Sequence, residues 1–481
     1  MLAKSLRLEI WDLVESDATN SIIENDEYED DDSGPRIECK LEIPIRGRVV
    51  TMCSYTPPNR KGGLDYILYT TERKRYAIIA YNQATKKIET KASGSLRDAV
   101  GREKNGAPIC IIDPESTIVV FQLYDGFLKI FPICQRTGLI LERDEFRVRL
   151  PENSASSMCF LNTQKERQGG RKVEDYNPVI ALLYQDMEHM FRATTYCVDL
   201  EGREIRDGPW SLRYENIDAF SCLLIPFRNS SNSVIIVGHK QLTYFNGNSS
   251  KSIPMEDKII LCYDQVDDNR FLLGDDRGTL WLLTVNQEKT GMQLVSGMSV
   301  EVMGSVHIPA TITYISEGIC FIGTQYGDSE LLQLSEEIDI KKNSFIKSST
   351  EYTALGPILD FDTVTTNHQQ AIVTCNGMGK DGTLRIVRNG IGIHEQADVE
   401  ISGITDLFSL HLPGQVYDKY LVQSFIHATR ILAIADDEMA EDVIPGFLNE
   451  ETTFWLKSTF LKRIGECRSD NPSMNWTNAS N

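Results

Sequence analysis

The chain has 481 residues, 41% of them hydrophobic, and a formal net charge of −20. That length holds two or three ordinary domains, or one large closed β architecture with more attached, and it is ample to bury a core. So acidic a chain is a poor autonomous binder of DNA or RNA, because Lys and Arg must neutralise the phosphates; it also has no run of about 18 apolar residues to span a bilayer.

The first residues, "MLAKSLRLEIWDLVES", alternate apolar and charged side chains and carry no secretion signal of the cleavable kind. "LRLEIWDL" reads as a first strand. The acidic stretch after it, residues 15–36, is low in apolar residues and is expected as a solvated excursion between strands, with docking of a basic partner as the functional alternative.

A recurring unit then sets in, with an apolar strand, a small or Gly-containing turn and a second strand. It occupies residues 66–81, 117–133, 179–200, 233–245, 270–285 and 318–334, and returns at 373–395 and 420–434. A spacing of roughly 40 to 60 residues is that of four-stranded propeller blades. Counting the first strand, seven units precede residue 373, which predicts a seven-bladed ring with further strands to spare. The basic stretch at 164–176 is interleaved with acids and reads as a solvated loop. Helical periodicity is confined to residues 446–466. The 11 cysteines are scattered singly, mostly in apolar runs such as "APICIID", as reduced thiols of the nucleus or cytosol are.

"VTCNGMGKDGTLRIVRNGIGIHE", residues 373–395, invites two chemical readings and fits neither. A phosphate loop needs Gly first and a hydroxyl after Gly-Lys, whereas Thr374 stands first and Asp381 follows Lys380. A His-Glu-x-x-His zinc motif needs a second imidazole where Asp398 stands. The expected role is a strand turn, with "KDG" supplying positive φ. No nucleophile elbow or Cys-x-x-Cys pair is present, so no catalytic residue, metal ligand or cofactor is expected. A propeller hydrolase with acids at a central channel is the outlying alternative.

"IIDPESTIVVFQLYDGFLKIFPI", "DGPWSLRYEN", "RFLLGDDRGTLWLL", "FIGTQYGDSELLQL", "LGPILDFDTV", the stretch from Val373 to Ile404 and "DEMAEDVIPGF" resemble the damaged-DNA-binding protein 1 family, from about residue 3 to about residue 455. The large subunit of the cleavage and polyadenylation factor and the propeller subunit of splicing factor 3b share the architecture, but "RIVRNGIGIHE" favours the first family. The resemblance implies an all-β fold: a seven-bladed propeller over residues 1–352, connecting strands of a receptor pocket at 353–391, and the start of a second, incomplete propeller at 392–481, with an atypical tail from about 456. It implies a non-enzymatic adaptor that links the cullin-4 RING ubiquitin ligase to WD-repeat substrate receptors, in DNA repair and ubiquitination in nucleus and cytoplasm, meeting DNA only through a partner subunit. An RNA-processing scaffold is the alternative.

Carried over by position, the partner-binding residues are Tyr314, Gln325, Tyr326, Pro357, Leu359, Met378 and Gly379. Gly379 is a departure, at a position where a member of the family has a large aromatic. Ordinary strand core is the alternative reading of Leu359 and Tyr314. Relative to the family, the chain lacks a first strand that helps seal the ring, most of the second propeller, the third propeller and the helical domain. A truncated product, a fragment or an incomplete gene model is therefore expected, with cullin contact weak or lost.

Overall fold

The computed structural model describes residues 2–4, 7–14, 35–58, 64–104, 106–152, 155–162, 177–212, 217–287, 295–339, 343–366, 369–388, 401–411, 418–435, 438–442 and 449–453. Among these the chain is all-β, with no α-helix. The loop at 164–176, nearly all of the 15–36 insertion, most of the 446–466 stretch and the segment from His394 to Asp398 fall outside the described residues.

Contacts divide the chain into two units, Met1–Asn389 and Gly390–Asn481. The first unit opens with a three-stranded sheet, Leu2–Lys4, Arg7–Val14 and Arg36–Pro44. Six four-stranded sheets come next, over residues 49–95, 109–149, 155–212, 223–254, 260–305 and 309–352. A last three-stranded sheet holds Ile358–Thr366, Gln369–Asn376 and Thr383–Arg388. Each strand pairs antiparallel with its neighbour in sequence, and the first strands of successive four-stranded sheets adjoin one another. This is propeller architecture.

The hairpins legible in the sequence between residues 66 and 334 are the two middle strands of these sheets. They stood out because both of their faces are covered. In the strand Ile118–Tyr124 every residue is buried. Val119, Phe121 and Leu123 pack with Leu68 and Ile78 of the preceding sheet, while Ile118 and Val120 pack with Ile180 and Leu182 of the following one. The strand Val234–Val237 repeats the pattern, with Ile235 and Val237 against Phe271 and Leu273, and Val234 and Ile236 beside Ala181 and Leu183. Period-2 alternation thus feeds two cores, one on each side of a sheet. Each such side chain contributes about 1.5–3 kcal/mol by leaving water.

The last of these six four-stranded sheets returns to the opening three-stranded sheet. Tyr352 accepts a hydrogen bond from the Ile37 N–H at 2.8 Å and meets the Trp11 ring edge-on at 5.7 Å, and Thr350 donates to the Pro35 carbonyl at 3.2 Å. Removing the ring in Tyr352→Ala is expected to lower first-unit stability by about 2 kcal/mol, read as a lower urea midpoint.

Aspartates organise the hairpin turns. Asp275, fully buried, accepts the N–H groups of Arg277 and Thr279 at 2.9 and 2.7 Å and the Trp281 Nε1–H at 3.0 Å, and pairs with Lys258 at 3.4 Å. Burial opposes its ionisation, but the hydrogen bonds from Thr279, Trp281 and Arg277 outweigh it and hold the carboxyl below its ordinary range. Asp275→Asn is expected to cost about 1–3 kcal/mol at pH 7. Because the native pKa lies below the unfolded value of about 3.9, this stability is present above that value and is lost as pH falls through the native pKa. Urea midpoints of the two chains should therefore converge in strong acid.

The second unit holds one described four-stranded sheet, Ile404–His411, Asp418–Phe425, Ala428–Ala435 and Glu438–Glu441, around Leu410, Val422 and Ile431.

Candidate partner-binding site

The last sheet of the first unit differs from the others in what covers it. Its strands are β-branched and alternate as strands should, with Ile358 paired to Asn376 and Asn376 to Thr383. Yet Ile358, Leu359, Phe361, Leu384 and Ile386 are all more than half exposed. Phe361 lies in register with Thr374 and Arg385, which puts it on the face opposite to Leu384, the neighbour of Arg385, so both faces present apolar surface.

The turn between its second and third strands, residues 377–382, lies against the propeller. Gly377 and Gly379 adopt φ of +76° and +64°, whereas Gly382 is extended at −69° and Lys380 and Asp381 lie in a short 3-10 turn. The positive φ expected from "KDG" is therefore supplied one step earlier, by the glycines of "NGMG". Gly377 is required twice over, since a Cβ there would strike the carbonyls of Tyr326 and Asp381, while a Cβ on Gly379 meets open space. The Gly377 N–H donates to the Pro357 carbonyl at 3.0 Å and the Met378 N–H to the Tyr326 carbonyl at 3.3 Å.

Polar side chains complete the attachment. Lys380 Nζ donates to Ser305 Oγ at 2.8 Å, to the Val306 carbonyl at 2.9 Å and to the Gly278 carbonyl at 3.4 Å. Asp381, buried, accepts the Ile308 N–H at 2.8 Å and faces His307 Nδ1 at 3.0 Å. Arg385 pairs with Asp328, whose other oxygen accepts the Ala354 N–H at 2.7 Å. Burial raises the Glu330 carboxyl above its ordinary value. Burial works against charging His307, but Asp381 and Glu330 carry its pKa upward.

Of the residues carried over by resemblance, Tyr326, Pro357, Met378 and Gly379 are brought together by the backbone bonds of this turn. Gln325 is exposed beside the half-buried Tyr326. Leu359 lies two residues beyond Pro357 and is 66% exposed, which sets aside the reading of it as strand core. Tyr314 is placed differently. It packs against the core shared by Cys262, Ile312 and Leu332, and its hydroxyl accepts the Gly318 N–H at 3.0 Å. His307, Asp328 and Glu330 carry no signal in the sequence, because only folding brings them near residues 376–385.

Gly377→Ala should undo the docked turn, whereas Gly379→Ala should cost only the left-handed penalty of about 1–2 kcal/mol. Hydrogen exchange at the Met378 amide separates them: faster exchange is expected in the first variant and near-native protection in the second.

Residues 2–366 match the family model described as the RSE1/DDB1/CPSF1 first beta-propeller. The chain is 35% identical over 436 residues to DNA damage-binding protein 1b and to DNA damage-binding protein 1a of Arabidopsis thaliana, covering 89% of this chain and 38% of each relative. It is 36% identical over 425 residues to DNA damage-binding protein 1 of Oryza sativa subsp. japonica, covering 87% of this chain and 37% of that one. The chain thus spans about two-fifths of the length of the curated relatives it matches.

Proposed function

The chain belongs to the RSE1/DDB1/CPSF1 first beta-propeller family, and from that premise we propose that it is a non-enzymatic adaptor, joining a cullin-4 RING ubiquitin ligase to substrate receptors of WD-repeat type in DNA damage repair and protein ubiquitination. The observation that carries this reading is the last sheet of the first unit, apolar on both exposed faces yet held in place by polar contacts. Clustered exposed hydrophobics on an ordered sheet are the mark of a surface meant for a partner.

In this reading residues 1–352 form the seven-bladed ring, residues 353–391 present the receptor surface, and residues from about 392 onward begin the cullin-binding propeller. A receptor helix would set its apolar side against Leu359 and Met378 beside Tyr326, which supplies a half-buried aromatic anchor. DNA is reached through a partner subunit, consistent with a net charge of −20. The ten described cysteines are all free, as in a protein of the nucleus and cytoplasm.

Affinity purification from cells is expected to recover cullin-4 with WD-repeat receptors. Recovery of polyadenylation or splicing subunits without them would replace the adaptor by an RNA-processing scaffold. Leu359→Glu and Met378→Glu change exposed side chains, so they should leave the urea midpoint of the first unit unchanged while weakening receptor capture by tenfold or more, the effect of losing one anchor worth about 2 kcal/mol.

A further inference from the structure

His307 stands in the loop before the strand Pro309–Ser316, surrounded by carboxylates. Its Nδ1 lies 3.0 Å from Asp381 Oδ1, and its Nε2 lies 3.1 Å from Glu330 Oε1 and 3.8 Å from Glu351 Oε1. The backbone N–H of His307 also donates to Glu330 Oε1 at 3.0 Å, so the loop is fixed against that side chain. Glu330 and Glu351 are directly opposed in the antiparallel register. Like charges so placed destabilise a strand pair, and among the described residues no Lys or Arg pairs with Glu330, Glu351 or Asp381. Lys380, next to Asp381, directs its ammonium to Ser305 and to backbone carbonyls instead.

An imidazole that donates from Nδ1 to Asp381 turns its Nε2 lone pair toward Glu330, a repulsive contact unless a positive group lies between. A proton satisfies one oxygen at a time. Here one nitrogen and two carboxylate oxygens lie close together, Nε2 being 3.1 and 3.8 Å from the two oxygens, near the separation of about 3.4 Å between ligands set tetrahedrally around an ion bound at about 2.0–2.2 Å. We infer that His307, Glu330 and Glu351 form a site for a divalent transition cation of the zinc class, with Asp381 holding the imidazole from behind.

The imidazole favours zinc-class ions over magnesium and calcium, which take oxygen ligands. A carboxylate on the far ring nitrogen is the usual support of a metal-binding histidine. Because Asp381 belongs to the docked turn and Glu330 and Glu351 to the seventh sheet, the ion would tie the last sheet to the propeller. This site is independent of any receptor.

The test uses the full chain with Cys39 and Cys375, both exposed thiols, replaced by Ser, stripped with a chelator and titrated calorimetrically with zinc chloride. One saturable site and a Tm that rises with zinc are expected, with magnesium chloride giving neither. Glu351→Gln, at a side chain 63% exposed, is expected to weaken zinc binding tenfold or more without lowering the zinc-free Tm, and His307→Gln to abolish it. Absence of saturable uptake, equal stabilisation by magnesium, or unchanged affinity in Glu351→Gln would overturn the assignment; if His307→Gln does not fold, Glu351→Gln decides.

Discussion

A sheet that is apolar on both faces cannot be satisfied alone, and the first unit is built on that constraint. Val119 and Phe121 face one neighbour while Ile118 and Val120 face the other, so each sheet completes two cores and owns neither. The series must return on itself, or its two end sheets would each leave a face in water. Tyr352, between Ile37 and Trp11 on one side and Phe321 on the other, stands at that return. Stability is accordingly shared around the unit, and loss at one junction is felt at its neighbours.

The last sheet escapes the constraint and acquires a different use. Among the described residues no core cluster is built on its strands, and its anchors are polar: a lysine on carbonyls, an aspartate on a backbone amide and an imidazole, an arginine on Asp328. Hydrogen bonds of this kind contribute about 0.5–1.5 kcal/mol each, more when charged, and they are directional. They orient a sheet without using up its apolar faces. The same turn that fastens the sheet also presents Met378 to solvent, so position and availability are decided together.

Much of the fold was legible because burial on both faces writes itself into the sequence as apolar runs with turn punctuation. The middle hairpins could be read at 117–133 or 270–285. First and fourth strands are shorter or less buried and carried less signal: Ile109–Ile112 has four residues with one buried, and Lys87–Ser95 has none buried. The turn at 377–382 was recognisable as a turn from its glycines, but which glycine takes positive φ depends on the carbonyl of Tyr326, some fifty residues earlier. Leu359 and Tyr314 looked alike as apolar strand residues. One proved exposed and the other is packed beside Ile312, a distinction set by what lies across from each strand and not by the strand itself.

By itself, then, the sequence determined the class of the fold, the order of its hairpins, the acidity that disfavours direct nucleic-acid binding, and the family. Only the tertiary structure decided which apolar residues remain uncovered and which charged ones meet. Alternation and composition are local properties of a strand. The encounter of His307 with Glu330, Glu351 and Asp381 spans more than seventy residues, and a contact closed over such a distance is fixed by how sheets pack, not by any spacing along the chain.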